Sequence, residues 1–126
     1  MKIKNGTILI GQIDSFPMLY HKGITLDGAV CHNTPSKKNS VGGNLVCEPL
    51  ETFTKERTIV GAIPTDAKDM DIVKTTLEYM DKPYDVFDNN CDHYVQRAAY
   101  GHHSSPQMVV LAALALLVLL ILILLK

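Results

Sequence analysis

HKGITLDGAVCHNT, residues 21–34, decides the first half of the fold. Two short apolar runs flank Asp27-Gly28, and Asp-Gly between such runs is among the strongest hairpin signals, because the favoured tight turn needs positive φ at both central residues. A two-residue turn pairs Leu26 with Ala29, and the pairing runs on until Gly23 faces His32. His21 lies two residues from Gly23 and so shares a sheet face with His32. The two imidazoles become diagonal neighbours, roughly 7–8 Å apart at the backbone and closer at their tips. Gly23 leaves room above His32, and Cys31 falls on the opposite face by alternation.

Outward from the hairpin, the chain reads first as more strands. TILIGQI (Thr7–Ile13) is a β-branched run closed by Ser15-Phe16-Pro17, and LVCEPL (Leu45–Leu50) and RTIVGAI (Arg57–Ile63) follow a polar, Gly-rich loop, PSKKNSVGGN (Pro35–Asn44). From Asp66 the pattern turns helical: Met70, Val73, Leu77 and Met80 recur at three- and four-residue spacing, which predicts one buried stripe. Thr65 and Asp66 are candidate N-caps, and Pro83 ends the helix. Val95, Ala98 and Ala99 predict a second short helix, stopped by Gly101.

The end of the chain is different in kind. Met108 to Leu125 is an unbroken run of eighteen apolar residues, followed by Lys126. At ~1.5 Å per residue such a helix covers about 27 Å, enough for the hydrocarbon core of a bilayer. It lacks the polar face of a core helix in a soluble domain, and it reads as a single C-terminal membrane anchor. The organisation expected is one catalytic-sized domain over residues 1–104 and an anchor over 105–126. Gln12 and Asp14 interrupt the first apolar run, so it does not read as an export signal, and the domain is expected in the cytosol.

Of the 12 basic and 13 acidic residues, only Lys126 falls outside that domain, which is therefore slightly acidic. This argues against a nucleic-acid binder. Cys31, Cys47 and Cys91 are odd in number and form no CxxC. They are expected as free thiols in a reducing compartment, not as a disulfide framework or a Cys-rich zinc site.

Cys91 carries the chemistry. It stands in YDVFDNNCDHYVQRAAYG (Tyr84–Gly101), where Asn89 can cap the second helix and Asp92 can reach back as in a capping box. A thiol in a first helical turn meets unpaired N–H groups and the positive end of the dipole, which favour the thiolate, and the same groups suit a developing oxyanion. The alternative is a small buried residue at a helix start. One histidine of the hairpin pair can take the thiol proton while the other orients it.

With these residues on the page, HKGITLDGAVCHNTP followed by PYDVFDNNCDHYV, a short polar stretch and an apolar helix resembles the lecithin:retinol acyltransferase-like branch of the NlpC/P60 superfamily. That branch carries one histidine before a hairpin, one after it, and an NCEHF motif preceded by PYxxFxxN. The resemblance spans most of the domain. It implies an α+β, circularly permuted papain-like fold, a small antiparallel sheet packed on helices. It also implies Cys91 as nucleophile, His21 as general base and His32 as the orienting group. Members form an acyl thioester on the cysteine and pass the acyl group to water, an amine, a lysophospholipid or retinol. Lys22 stands where a tryptophan is common, and Asp92 and Tyr94 where Glu and Phe are usual. These departures bear on the acyl acceptor and lipid preference more than on the cysteine chemistry.

The expected protein is thus a membrane-anchored thiol acyltransferase or phospholipase A acting on glycerophospholipid esters, without cofactor or metal. Its partners are the lipid substrate and the membrane. A tethered cysteine peptidase or amidase of the same fold, and a non-enzymatic tail-anchored interaction domain, are the alternatives. Zinc held by His21, His32 and Cys91 ranks below the thiol reading, because no short ligand spacing supports it. His93, about 200° around the helix from Cys91, is expected to brace the helix against the sheet. Tyr84 and Asp85 read as structural support, His102 and His103 as solvated linker, and Lys37 and Lys38 as loop residues with lipid headgroup contact as the sharper reading.

Overall fold

The Asp27-Gly28 turn forms as its residue types demand, with φ of 49° and 80°. Leu26 pairs with Ala29 and Ile24 with Cys31 in the expected register. A Cβ at Gly23 would collide with Val30 Cγ1 and stand 3.3 Å from His32 Cβ, so the close approach of the strands requires glycine there.

In this computed structural model, which describes residues 3–12, 20–35 and 43–126, the hairpin is the middle of a five-stranded antiparallel sheet. Strands β1 (Thr7–Gln12), β2 (Tyr20–Leu26), β3 (Ala29–Pro35), β4 (Gly43–Pro49) and β5 (Ile59–Pro64) lie in the order β4-β3-β2-β1-β5. Helices α1 (Leu50–Lys55), α2 (Asp69–Tyr79), α3 (Cys91–Tyr100) and α4 (Pro106–Leu124) complete an α+β architecture with one C-terminal apolar helix. The expected Ser15-Phe16-Pro17 closure and the headgroup contact of Lys37 and Lys38 lie outside the described residues.

The sheet buries both faces. On one, Ile8, Ile24, Cys31 and Leu45 pack against Ile72 and Tyr79 of α2 and Tyr94, Val95 and Ala98 of α3. On the other, Leu9 and Val30 pack against Phe53 of α1. The sequence reading left α1 unassigned; its six residues present one fully buried side chain, Phe53. Burying a side chain of that size is worth about 1.5–3 kcal/mol, enough to hold so short a helix in place.

Several expectations are corrected. Helix α2 starts after Lys68, not at Thr65 or Asp66, because the Thr65 hydroxyl donates to the Gly6 carbonyl at 2.6 Å. Its buried face is Ile72, Thr75 and Tyr79, whereas Met70 and Leu77 of the expected stripe are 74% and 63% exposed. Both faces satisfy helical spacing. The inner one wins because Tyr79 packs edge-on to Tyr94, and the Thr76 hydroxyl bonds the Tyr94 hydroxyl at 2.7 Å.

The cysteines are corrected as well. Cys31 and Cys47 face one another across β3 and β4 and form a disulfide, leaving Cys91 as the free thiol. An odd count leaves room for one pair plus one thiol, and the argument for a reducing compartment from three free thiols falls away.

Helix α4 is capped by Ser105, whose Oγ accepts the Met108 N–H at 3.3 Å, and it opens on Pro106. Its mean hydropathy is 3.1 and none of its residues is buried, so it is long and apolar enough to cross a membrane.

Candidate active site

His21 and His32 share the Phe53 face, as the hairpin register requires, with ring centroids 6.1 and 5.1 Å from that of Phe53. Their nitrogens meet: His21 Nε2 lies 2.7 Å from His32 Nδ1. His32 Nε2 continues the series to Glu48 Oε1 at 2.8 Å, and Arg57 Nη1 stands 3.5 Å beyond on the same carboxylate oxygen. Arg57 reaches this position by lying over Gly11, where a Cβ would come within 3.0 Å of its Cδ.

The tautomers follow from the end of that series. A carboxylate only accepts, so His32 Nε2–H donates to Glu48 and His32 Nδ1 is left as an acceptor. His21 Nε2–H must then be the donor to His32, which leaves the lone pair on His21 Nδ1. Burial pushes the His21 pKa well below the usual imidazole value, and the charges of His32 and Arg57 push the same way. Burial and Arg57 also lower His32, while Glu48 works against them.

Cys91 arrives from the other face of the sheet. Asn90, one residue later than expected, caps α3: its Oδ1 accepts the N–H groups of Asp92 and His93 at 2.9 and 3.1 Å. His93, not Asp92, closes the capping box, with Nδ1 accepting the Asn90 N–H at 3.1 Å. Two first-turn donors expected for an oxyanion are therefore already engaged. The thiol is buried and donates to the Tyr20 carbonyl at 3.8 Å. Its pKa is pushed up to about 11, not down, because burial outweighs the N–H groups of Lys22 and Asp92 that favour the thiolate.

His21 and Cys91 meet where β2 begins. Tyr20, His21 and Cys91 line one cavity of ≈ 510 Å³, with Gln12, Glu56 and Arg57 among its polar walls. Its apolar wall includes Val86, Phe87, Met108 and Leu111, the last two from α4. The sequence-predicted trio thus shares one neighbourhood: His21 bonds His32 directly, and His21 joins Cys91 as a wall of the same space.

Asp92 has a different role from the one its spacing suggested. Fully buried, it takes Lys22 Nζ on Oδ1 at 2.8 Å, and its Oδ2 accepts from Ser105 Oγ at 3.2 Å and the Gln107 N–H at 3.0 Å. Two positions that depart from the resembled pattern, Lys22 and Asp92, therefore form an ion pair with each other. His93 stacks on His103 at 4.5 Å, and His103 bonds the Tyr79 hydroxyl and the Asp88 carbonyl. His93 thus braces the linker to α4, and His103 is no freely solvated residue. Tyr84 joins the cavity wall, while Asp85 Oδ1 accepts the N–H groups of Phe87 and Asp88 and shapes the turn beside it.

Sequence reasoning missed Glu48, Arg57 and Gln107. Glu48 had a signal: β4 pairs it with Val30, two residues from His32 on one sheet face, but that register depends on a pairing no local pattern announces. No family model matches the chain, and a search of curated proteins finds no match.

Proposed function

We propose that the protein is a membrane-anchored, cysteine-dependent acyltransferase or phospholipase A of the lecithin:retinol acyltransferase type. On this reading the domain is a circularly permuted papain-like unit, and α4 spans the bilayer. One observation carries the reading: a free thiol, an imidazole whose Nδ1 has no partner among the described residues and the first turns of a membrane-compatible helix line the same cavity. A peptide substrate has no need of that third wall. A phospholipid ester lies at the interface, and tethering keeps the site at high effective concentration beside it.

In the mechanism, Sγ of Cys91 attacks the ester carbonyl while His21 Nδ1 takes the thiol proton. His32 and Glu48 hold the tautomer and stabilise the imidazolium that forms. The tetrahedral intermediate expels the lysolipid alkoxide, which takes the proton from His21, and the acyl group remains as a thioester. Water, an amine or a hydroxyl group then gives its proton to His21 and attacks the thioester, restoring the thiol. Because the resting thiol titrates near 11 and His21 is a weakened base, the proton leaves in concert with attack and not from a pre-formed ion pair.

The test is turnover by the full chain in mixed micelles of phosphatidylcholine, set beside a peptide panel. The expected result is Cys91-dependent release of lysophospholipid, with peptides untouched. Cys91-dependent cleavage of a peptide with inert lipid would overturn the lipid assignment.

A further inference from the structure

Gln107 sits in the first turn of α4, and its side-chain amide bonds both the backbone N–H and the backbone C=O of Tyr20. Its Nε2–H donates to the Tyr20 carbonyl at 3.1 Å, and its Oε1 accepts the Tyr20 N–H at 2.9 Å. That carbonyl is also the acceptor of the Cys91 thiol at 3.8 Å. One oxygen is therefore shared by the nucleophile and by the start of the apolar helix. Tyr20 directly precedes His21, and Lys22, directly after it, is bonded to Asp92, which in turn accepts the Gln107 N–H. Both chain neighbours of the base and one neighbour of the nucleophile are thus tied to the same turn of α4.

We propose that Gln107 is a positioning residue through which the seating of the membrane helix sets the state of the thiol. The inference rests on the reading of Cys91 as nucleophile. A carbonyl oxygen offers two lone pairs, and a donor on one weakens it as an acceptor on the other. While Gln107 holds Tyr20, the thiol proton is held less tightly and the His21 backbone is fixed. When α4 shifts and Gln107 withdraws, the carbonyl keeps the thiol proton and the start of β2 loosens. The apolar helix is then a working part of the site and not only a tether.

The experiment uses the full chain in phosphatidylcholine nanodiscs and follows carbamidomethylation of Cys91 by iodoacetamide against pH, read by intact mass. Only Cys91 reacts, since Cys31 and Cys47 are paired. Gln107→Ala removes both bonds, whereas Gln107→Glu keeps the acceptor and loses the donor. Both should slow alkylation at neutral pH by about tenfold and move its midpoint up by about one unit. On lipid substrate kcat should fall with KM unchanged. Val110→Ala, at an exposed position of the same helix, should superimpose on the parent. A Gln107→Ala profile that also superimposes overturns the proposal. A shifted profile in a protein without lipid turnover leaves the coupling standing and removes the acyl-transfer reading. Cys91-dependent turnover with an unshifted profile does the reverse.

Discussion

His21 and Cys91 reach one cavity from opposite faces of the sheet, and they are held in different ways. On the histidine side, His21, His32 and Glu48 stand on three adjacent strands, and each nitrogen between them has its partner. Neighbouring strands fix such a series, so it is assembled by the sheet itself. On the cysteine side, Cys91 opens a helix whose first donors go to Asn90, and its proton rests on a backbone carbonyl. The groups around it, Asp92 and Gln107, lead to α4. The histidine series is a property of the sheet, while the thiol depends on how the helices are seated.

The largest way to disturb that contrast is to loosen the histidine side alone. The Cys31–Cys47 disulfide joins the residues preceding His32 and Glu48 and closes a loop with a sequence separation of 16. Reduction should cost about 3 kcal/mol of stability on loop-entropy grounds, visible as a lower denaturant midpoint with reductant than without. An unchanged midpoint would remove the cross-link from the account. Next, Glu48→Gln withdraws the anionic acceptor from His32 while keeping its shape. Turnover should fall by roughly 10- to 100-fold. The acid limb of the pH profile should move to lower pH, because the carboxylate raises the His32 pKa. A limb that stays put would take Glu48 out of the relay.

The smallest effect separates the two sides by pH. The folded chain holds His21 and His32 below the usual imidazole value, so the unfolded chain binds their protons first on acidification. Stability is therefore complete above about pH 6.5 and falls by up to about 1.4 kcal/mol per unit and per group below it. The folded chain holds Cys91 up at about 11 from an ordinary value of 9.0, so its contribution is complete below pH 9.0 and is lost on rising towards 11. Thermal melts across pH should show both limbs. Cys91→Ala should remove the loss that sets in between about pH 9 and 10, before Tyr84 and Tyr94, which burial pushes up to about 12, begin to contribute; an unchanged loss in that interval contradicts a buried, protonated thiol.

What could be read from the chain follows the range of the interactions. The hairpin register, the shared face of His21 and His32, the stop at Gly101 and the apolar helix all rest on local signals, and each is found. The misses are non-local or nearly degenerate. Asn89 and Asn90 are identical neighbours, and only the geometry of α3 selects the second as cap. Helix α2 carries two apolar faces, and Tyr94 on another helix selects the less obvious one. Glu48 and the Cys31–Cys47 pair depend on the register of β4 against β3, which no local pattern announces. Asp92 looked like a local cap because its partners, Lys22, Ser105 and Gln107, come from distant parts of the chain.

Intact-mass analysis after incubation with diacyl phosphatidylcholine asks most directly whether these side chains act as one proton-transfer unit. The expected product is a single acyl chain on Cys91, absent from Cys91→Ala and strongly reduced in His21→Ala. An unmodified thiol, or acylation that proceeds equally well without the His21 imidazole, would contradict it.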